Sequence, residues 1–170
     1  MTKMRFKPQT AGGFTAIEII AILVVVGILA VIVISRAMSG ATASRVAQES
    51  VLKTHIRFAQ ATSMKQGALW GIKSDGTDYW LFRNNNPDAV ANQQPLPGES
   101  NVKIRLADRQ IAVNAFTVFF DAIGRPYTAY TDVVINTPVS AANPVSITVN
   151  SIPASSPVTF GITPETGFMP

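Results

Sequence analysis

A chain of 170 residues has room for one domain and an appendage. Fourteen Lys and Arg against ten Asp and Glu leave a net charge of +4, but Lys3, Arg5 and Lys7 supply three of the positive charges. Without residues 1–13 the balance is 11 against 10, and no Lys or Arg follows Arg125, so a DNA-binding footprint is not in evidence. The absence of cysteine removes any disulfide framework and any Cys-based metal site, leaving the fold to be held by its core.

In chain order, the first element is apolar. Residues 19–34 are uninterrupted apolar residues, and Phe14 to Ile34 contains only Thr15 and Glu18 as polar members. At ~1.5 Å per residue a helix over that run measures roughly 31 Å, about the hydrocarbon thickness of a bilayer. A strand of that length would be far outside the usual range. The run therefore reads as a membrane helix, with the basic flank holding its start on the cytoplasmic side. From Ser35 to Gln66 the chain turns polar but stays helix-compatible. Leu52, Ile56 and Ala59 lie at helical spacing with Val51 and Phe58 beside them, and Gly67 is the expected stop.

After Gly67 the period changes to that of strands. "ALWGIK" and "YWLFR" flank "SDGTD", whose Asp-Gly is a hairpin signal. Residues 84–100 read as a loop. Strands are expected at Val102–Leu106, Gln110–Val113, Thr117–Asp121, Val133–Asn136 and Val145–Asn150, with "VTFGI" and "GFM" bracketing the turn "TPET". The fold class expected is α+β: a long N-terminal helix, transmembrane in its first half, packed on a small antiparallel sheet head.

Glu18 is the informative residue of the apolar run. A secretory signal peptide, with cleavage near Ala41–Ala43, would have a shorter apolar region and no acid. A plain anchor would leave the carboxylate idle at a cost of roughly 2.5–3.5 kcal/mol at mid-bilayer, less near the interface. A cut between Gly13 and Phe14 would instead give Phe14 a new α-amino group, with Glu18 in the first helical turn. A carboxylate is favoured there by the free N–H groups and the macrodipole, and it can pair with an amine that is costly to leave unpaired in lipid.

The residues "GGFTAIEII", a basic leader ending in Gly, then Phe, an acid four positions on and an apolar run, resemble the N-terminus of the type IV prepilins. That resemblance implies a pilin fold, with a leader over 1–13, a helix over 14–66 and a β-rich head over 67–170. It implies cleavage after Gly13 and N-methylation of Phe14 by a prepilin peptidase, then assembly into a filament with Glu18 pairing to a neighbour's Phe14 amine. The implied partners are other pilin or pseudopilin subunits, the peptidase, an inner-membrane assembly platform, and lipid before assembly. The implied location is the bacterial inner membrane, single-pass, with the head in the periplasm, and afterwards a pilus or pseudopilus. Ser35 stands where many members carry a kinking Pro.

In the body, "IRFAQATSMKQGALWGIK", "FFDAIGRPY" and "ITPETGF" resemble the minor-pilin group of H-type pseudopilins and FimT-like pilins, although the last two are ordinary turn chemistry. A minor subunit is favoured over a major pilin because no C-terminal cysteine pair and no acidic calcium loop are present. The type II secretion system, the type IV pilus and DNA uptake all stay open as destinations. The alternative is a membrane-tethered periplasmic binding module that never enters a filament, or a secreted sheet domain starting near Ser44.

No catalytic constellation is expected, and no cofactor or metal. The single histidine, His55, reads as a helix residue facing the domain or solvent. No Asp/Glu cluster has ligand spacing and no Ser lies in a nucleophile elbow. Trp70, Tyr79, Trp80, Phe82, Phe116, Phe119 and Phe120 read as core rather than a base-stacking platform. The C-terminal "TPETGFMP" lacks the basic residues that a nucleic-acid partner would require.

Overall fold

The computed structural model describes residues 15–152 and 156–170, and the side chains of these except 31–42. The chain divides into two compact units between Ala37 and Met38. Helical backbone, α1 (Ala16–Gln66), contributes to both.

The expected fold class needs correction. The side chains described on α1 form two short stretches of different character, residues 16–30 in the first unit and 43–66 in the second. Among the described residues no helix is long and apolar enough to cross a membrane. The long helix with a transmembrane first half is therefore not supported, nor is the single-pass inner-membrane placement with a periplasmic head that followed from it. Ser35, which stands where many prepilins carry a kinking Pro, lies outside the described side chains.

The sheet part of the expectation was also too small. In the second unit the strands are β1 (Trp70–Ser74), β2 (Asp78–Arg83), β3 (Gln93–Gln94), β4 (Lys103–Arg105), β5 (Ile111–Val113), β6 (Phe116–Phe120), β7 (Pro126–Tyr130), β8 (Asn136–Pro138), β9 (Ser146–Ser151) and β10 (Val158–Gly161). Seven of them form one antiparallel sheet in the order β3-β2-β1-β6-β7-β8, with β4 also pairing β2; β10-β9-β5 form a second. Strand β7, "PYTAY", was not foreseen: it begins with Pro and is closed by a bulge against β8. The strand expected at Val133–Asn136 is instead a turn, where Asp132 Oδ1 accepts from Val134 N and Ile135 N at 2.7 Å each, and β8 starts at Asn136. The terminal "GFM" forms no strand.

The first hairpin forms where the Asp-Gly signal stood. Asp75 N donates to Asp78 O at 3.1 Å, so the two loop residues are Gly76 and Thr77. Gly76 takes φ +92°, the conformation that a two-residue hairpin demands of glycine at its first position. The Asp75 carboxylate accepts from Thr77 N and Asp78 N at 2.8 Å, and these backbone bonds, that of Asp78 foremost, hold it below the ordinary carboxylate range.

Leu52, Ile56 and Ala59 are fully buried, as their spacing implied, and pack with Ile72, Val118 and Phe120 of the large sheet and Ile147 and Val149 of the small one. On the opposite face of the large sheet Trp80, Phe82, Phe119 and Tyr127 form a second cluster. The helix end is held by Gln60, whose Nε2 donates at 2.8 Å to both Gly124 O and Thr166 O. An Arg125–Glu165 ion pair joins the same two turns. One side chain thus ties together the "DAIG" and "PETG" turns, which in sequence are unrelated loops.

Candidate functional site

The first residues described bear directly on Glu18. Thr15 precedes the helix; its carbonyl accepts from Glu18 N at 3.0 Å and from Ile19 N at 3.2 Å, and its Oγ1 accepts from Glu18 N at 3.3 Å. Thr15 is therefore the N-cap, and Glu18, three residues on, stands at the position where an acid completes a capping box. The T-x-x-E spacing was present in the sequence, but the prepilin resemblance drew attention to the Phe–Glu interval instead. Among the described residues Glu18 has no salt-bridge partner. Gly13 and Phe14, the expected cleavage and methylation residues, lie outside the described residues.

Behind Glu18 the helix is apolar on all sides and exposed. Ile17 is 75% and Leu23 64% exposed, and Ile20, Val24, Ile28 and Leu29 are exposed too. Among the described residues of the first unit nothing covers them. A helix that is hydrophobic all round is stable in water only when something else surrounds it. Exposed apolar surface on this scale marks an interaction segment rather than a free surface.

The head has polar groups in its interior: Arg45 is buried with Nε and Nη1 lacking a hydrogen-bond partner among the described residues, whereas His55 has one. His55 is buried, with Nδ1 3.1 Å from the hydroxyl of Tyr79, itself buried on β2. Burial lowers the His55 pKa below its ordinary value; the nearby Glu99 charge and the Pro97 carbonyl oppose this, and Arg109, which is ion-paired to Glu99, adds to it. When the ring is neutral and Nδ1 accepts from the Tyr79 hydroxyl, protonation costs that bond and buries a charge. The same environment, by desolvation first, raises the Tyr79 pKa above its ordinary value. This pair fastens helix to sheet and offers no reactive group to solvent.

The sign of the resulting pH dependence follows. A histidine with a lowered folded pKa binds its proton more weakly folded than unfolded, so its contribution is complete above pH 6.5 and is lost as pH falls below that value toward the folded pKa. Thermal unfolding followed across this window should show the wild-type midpoint dropping more steeply on acidification than that of His55→Gln. Parallel profiles would remove His55 as the cause.

All seven aromatics assigned to the core are buried. Trp80 lies beneath Lys73 and Lys103, whose ammonium groups stand 5.8 and 4.2 Å from its ring centroid, and its Nε1 donates to Pro87 O at 2.8 Å. No aromatic of this set has a free face for a base. Among the described residues no group of three His, Cys, Asp or Glu could hold a metal. A concavity of about 610 Å³ opens among β1, β6, β7 and the start of β9, and another of about 290 Å³ lies beside Tyr127 and Tyr130.

Among the described residues, the capped, apolar segment 15–30 with its lone carboxylate stands out as unexplained by the packing of the head. Searches against family models, curated proteins and solved structures find no match to this chain, so the pilin and pseudopilin resemblance gains no support from relatives.

Proposed function

We propose that this chain is a structural, non-enzymatic subunit of a filament of the type IV pilus or type II secretion kind, processed at Gly13–Phe14 and assembled through its N-terminal helix. The observation that carries the proposal is the exposed apolar helix of residues 16–30 beginning with a single carboxylate at Glu18. Such a surface is satisfied by packing against copies of itself, because neighbouring apolar helices remove it from water at roughly 25 cal/mol per Å². Glu18 would then need a cation, and the Phe14 amine of a neighbouring subunit supplies one at the same end of the helix. A subunit in a helical filament uses two different surfaces, one toward each neighbour, so assembly continues without closing.

The test is the mature N-terminus. Co-expression with a prepilin peptidase should yield a chain that begins at N-methylated Phe14, read by N-terminal sequencing and intact mass. A chain that still begins at Met1 in peptidase-competent cells refutes processing, and a start near Ser44 favours a secreted domain instead.

A further inference from the structure

The buried face of helix residues 43–66 begins with a cation. Arg45 lies two turns before Leu52 and continues the row of Leu52, Ile56 and Ala59, so its side chain turns inward with theirs. It is only 7% exposed. Nε and Nη1 are enclosed and have no hydrogen-bond partner, whereas Nη2 is not enclosed in this way, so an acid can reach the group there. Glu49, one turn on, is taken by Lys53 at 3.1 Å. A buried guanidinium without a counter-charge is costly, because its hydration has been removed and nothing replaces it.

The side-chain acids of the same chain do not supply that counter-charge. All ten Asp and Glu are among the described residues. Glu49, Asp88, Glu99 and Glu165 are ion-paired to Lys53, Lys73, Arg109 and Arg125. Asp75, Asp121 and Asp132 accept backbone N–H groups of their own turns. Asp78 is half-buried in β2 opposite Arg105, and Glu18 belongs to the first unit. Asp108, in the short turn between β4 and β5, is exposed and has neither an ion pair nor a hydrogen bond from its carboxylate among the described residues. The head thus carries an enclosed cation and an exposed acid, both unpaired and not paired with each other.

We propose that Arg45 of one copy receives the Asp108 carboxylate of a second copy of this chain. Charge complementarity selects the occupant: the cation needs an acid from outside its own chain, and each copy presents one that its own fold leaves unused. Charge-assisted hydrogen bonds from the guanidinium to that carboxylate then replace the hydration lost on burial. Two different surfaces meet, so the contact is heterologous and passes from copy to copy without closing into a pair. The inference deepens the filament reading by adding a contact between heads, and rests on that reading for the supply of neighbouring copies.

The test uses the full-length chain, which has no cysteine. Val46→Cys is made in one preparation and Ala107→Cys in another; both positions are exposed, and they adjoin Arg45 and Asp108 without replacing them. Mixing and mild oxidation should give a disulfide-linked dimer of the two at about 10 times the yield from either preparation alone. Arg45→Met in the first or Asp108→Asn in the second should each cut that yield about 10-fold, the loss of one charged hydrogen bond, and the two together no further. Arg45→Met should also raise the thermal midpoint of the dilute chain or leave it unchanged, since it removes an unpaired buried charge, where a merely structural arginine would lower it. Absence of the mixed cross-link, a yield indifferent to either substitution, or a lowered midpoint would each overturn the proposal. A midpoint raised by inorganic phosphate in wild type but not in Arg45→Met would identify a free anion as the occupant, and would overturn it too. Processing to Phe14 with no mixed cross-link sinks this inference alone, whereas a start at Met1 with the cross-link intact removes the filament reading and leaves the pairing.

Discussion

Gly71→Ala lowers the stability of the head by about 3 kcal/mol or more, seen as a fall in the urea midpoint at unchanged slope. Gly71 lies in β1 at the centre of the large sheet, where it pairs with Phe82 on one side and Phe119 on the other. A Cβ there would stand 2.2 Å from the carbonyl oxygen of Val118 and 2.4 Å from Cζ of Phe82. The ring could turn aside, but the carbonyl belongs to the β1–β6 ladder and cannot move without breaking pairs. The expected loss is a large share of a total stability on the order of 10 kcal/mol. A double-mutant cycle with Phe82→Leu separates the two contacts: the second substitution should recover only part of the loss, because Val118 O remains. Full recovery would mean that the ring alone forbids a side chain at this position. A Gly71→Ala midpoint equal to wild type would show that β1 and β6 lie farther apart than described.

Glu18→Ala should reduce incorporation into filaments by about 100-fold while leaving the unfolding midpoint of the head unchanged. The figure is the cost of removing one partner of a desolvated ion pair, about 3 kcal/mol at its lower end. The capping geometry supplies a competing explanation, since Glu18 also sits at the third position of a helix capped by Thr15. Thr15→Ala distinguishes them. It removes the cap, worth about 1 kcal/mol, and leaves the carboxylate in place. Incorporation measured on sheared filaments should fall far less for Thr15→Ala than for Glu18→Ala. Equal losses would reassign Glu18 to helix capping and withdraw its role in subunit pairing.

Some of the head was legible from local chemistry. The helical interval of Leu52, Ile56 and Ala59 announced the face that is buried, and the Asp75-Gly76 pair announced the first hairpin, because each depends on residues close in sequence. The aromatics of β1, β2 and β6 announced the core for the same reason: alternating large apolar side chains have few other uses. Strand β7 was not legible. Its first residue is Pro, its register is broken by the bulge at Thr128, and its pairing depends on β6 and β8, neither of which its own residues specify. The turn at 131–135 was mistaken for a strand because Val133, Val134 and Ile135 have strand propensity, yet the Asp132 carboxylate captures two backbone N–H groups and all three side chains remain exposed.

The membrane reading erred in a different way. Hydropathy reports what a segment avoids and not what it is surrounded by, so an apolar run is equally a span, a core helix or a self-packing segment. The described structure gives no helix fit to cross a membrane, and it leaves residues 16–30 exposed.

What the sequence by itself determined is the local chemistry: a lone acid in an apolar run, the buried face of residues 52–59 and the first hairpin. Each follows from spacing along one segment. Only the tertiary structure decided that two distant turns meet at Gln60, that His55 is matched by Tyr79 and the Pro97 carbonyl, and that a bulge shifts the register between β7 and β8. These depend on which backbone groups face one another across strands remote in sequence, and a shift of one residue reverses every such pairing.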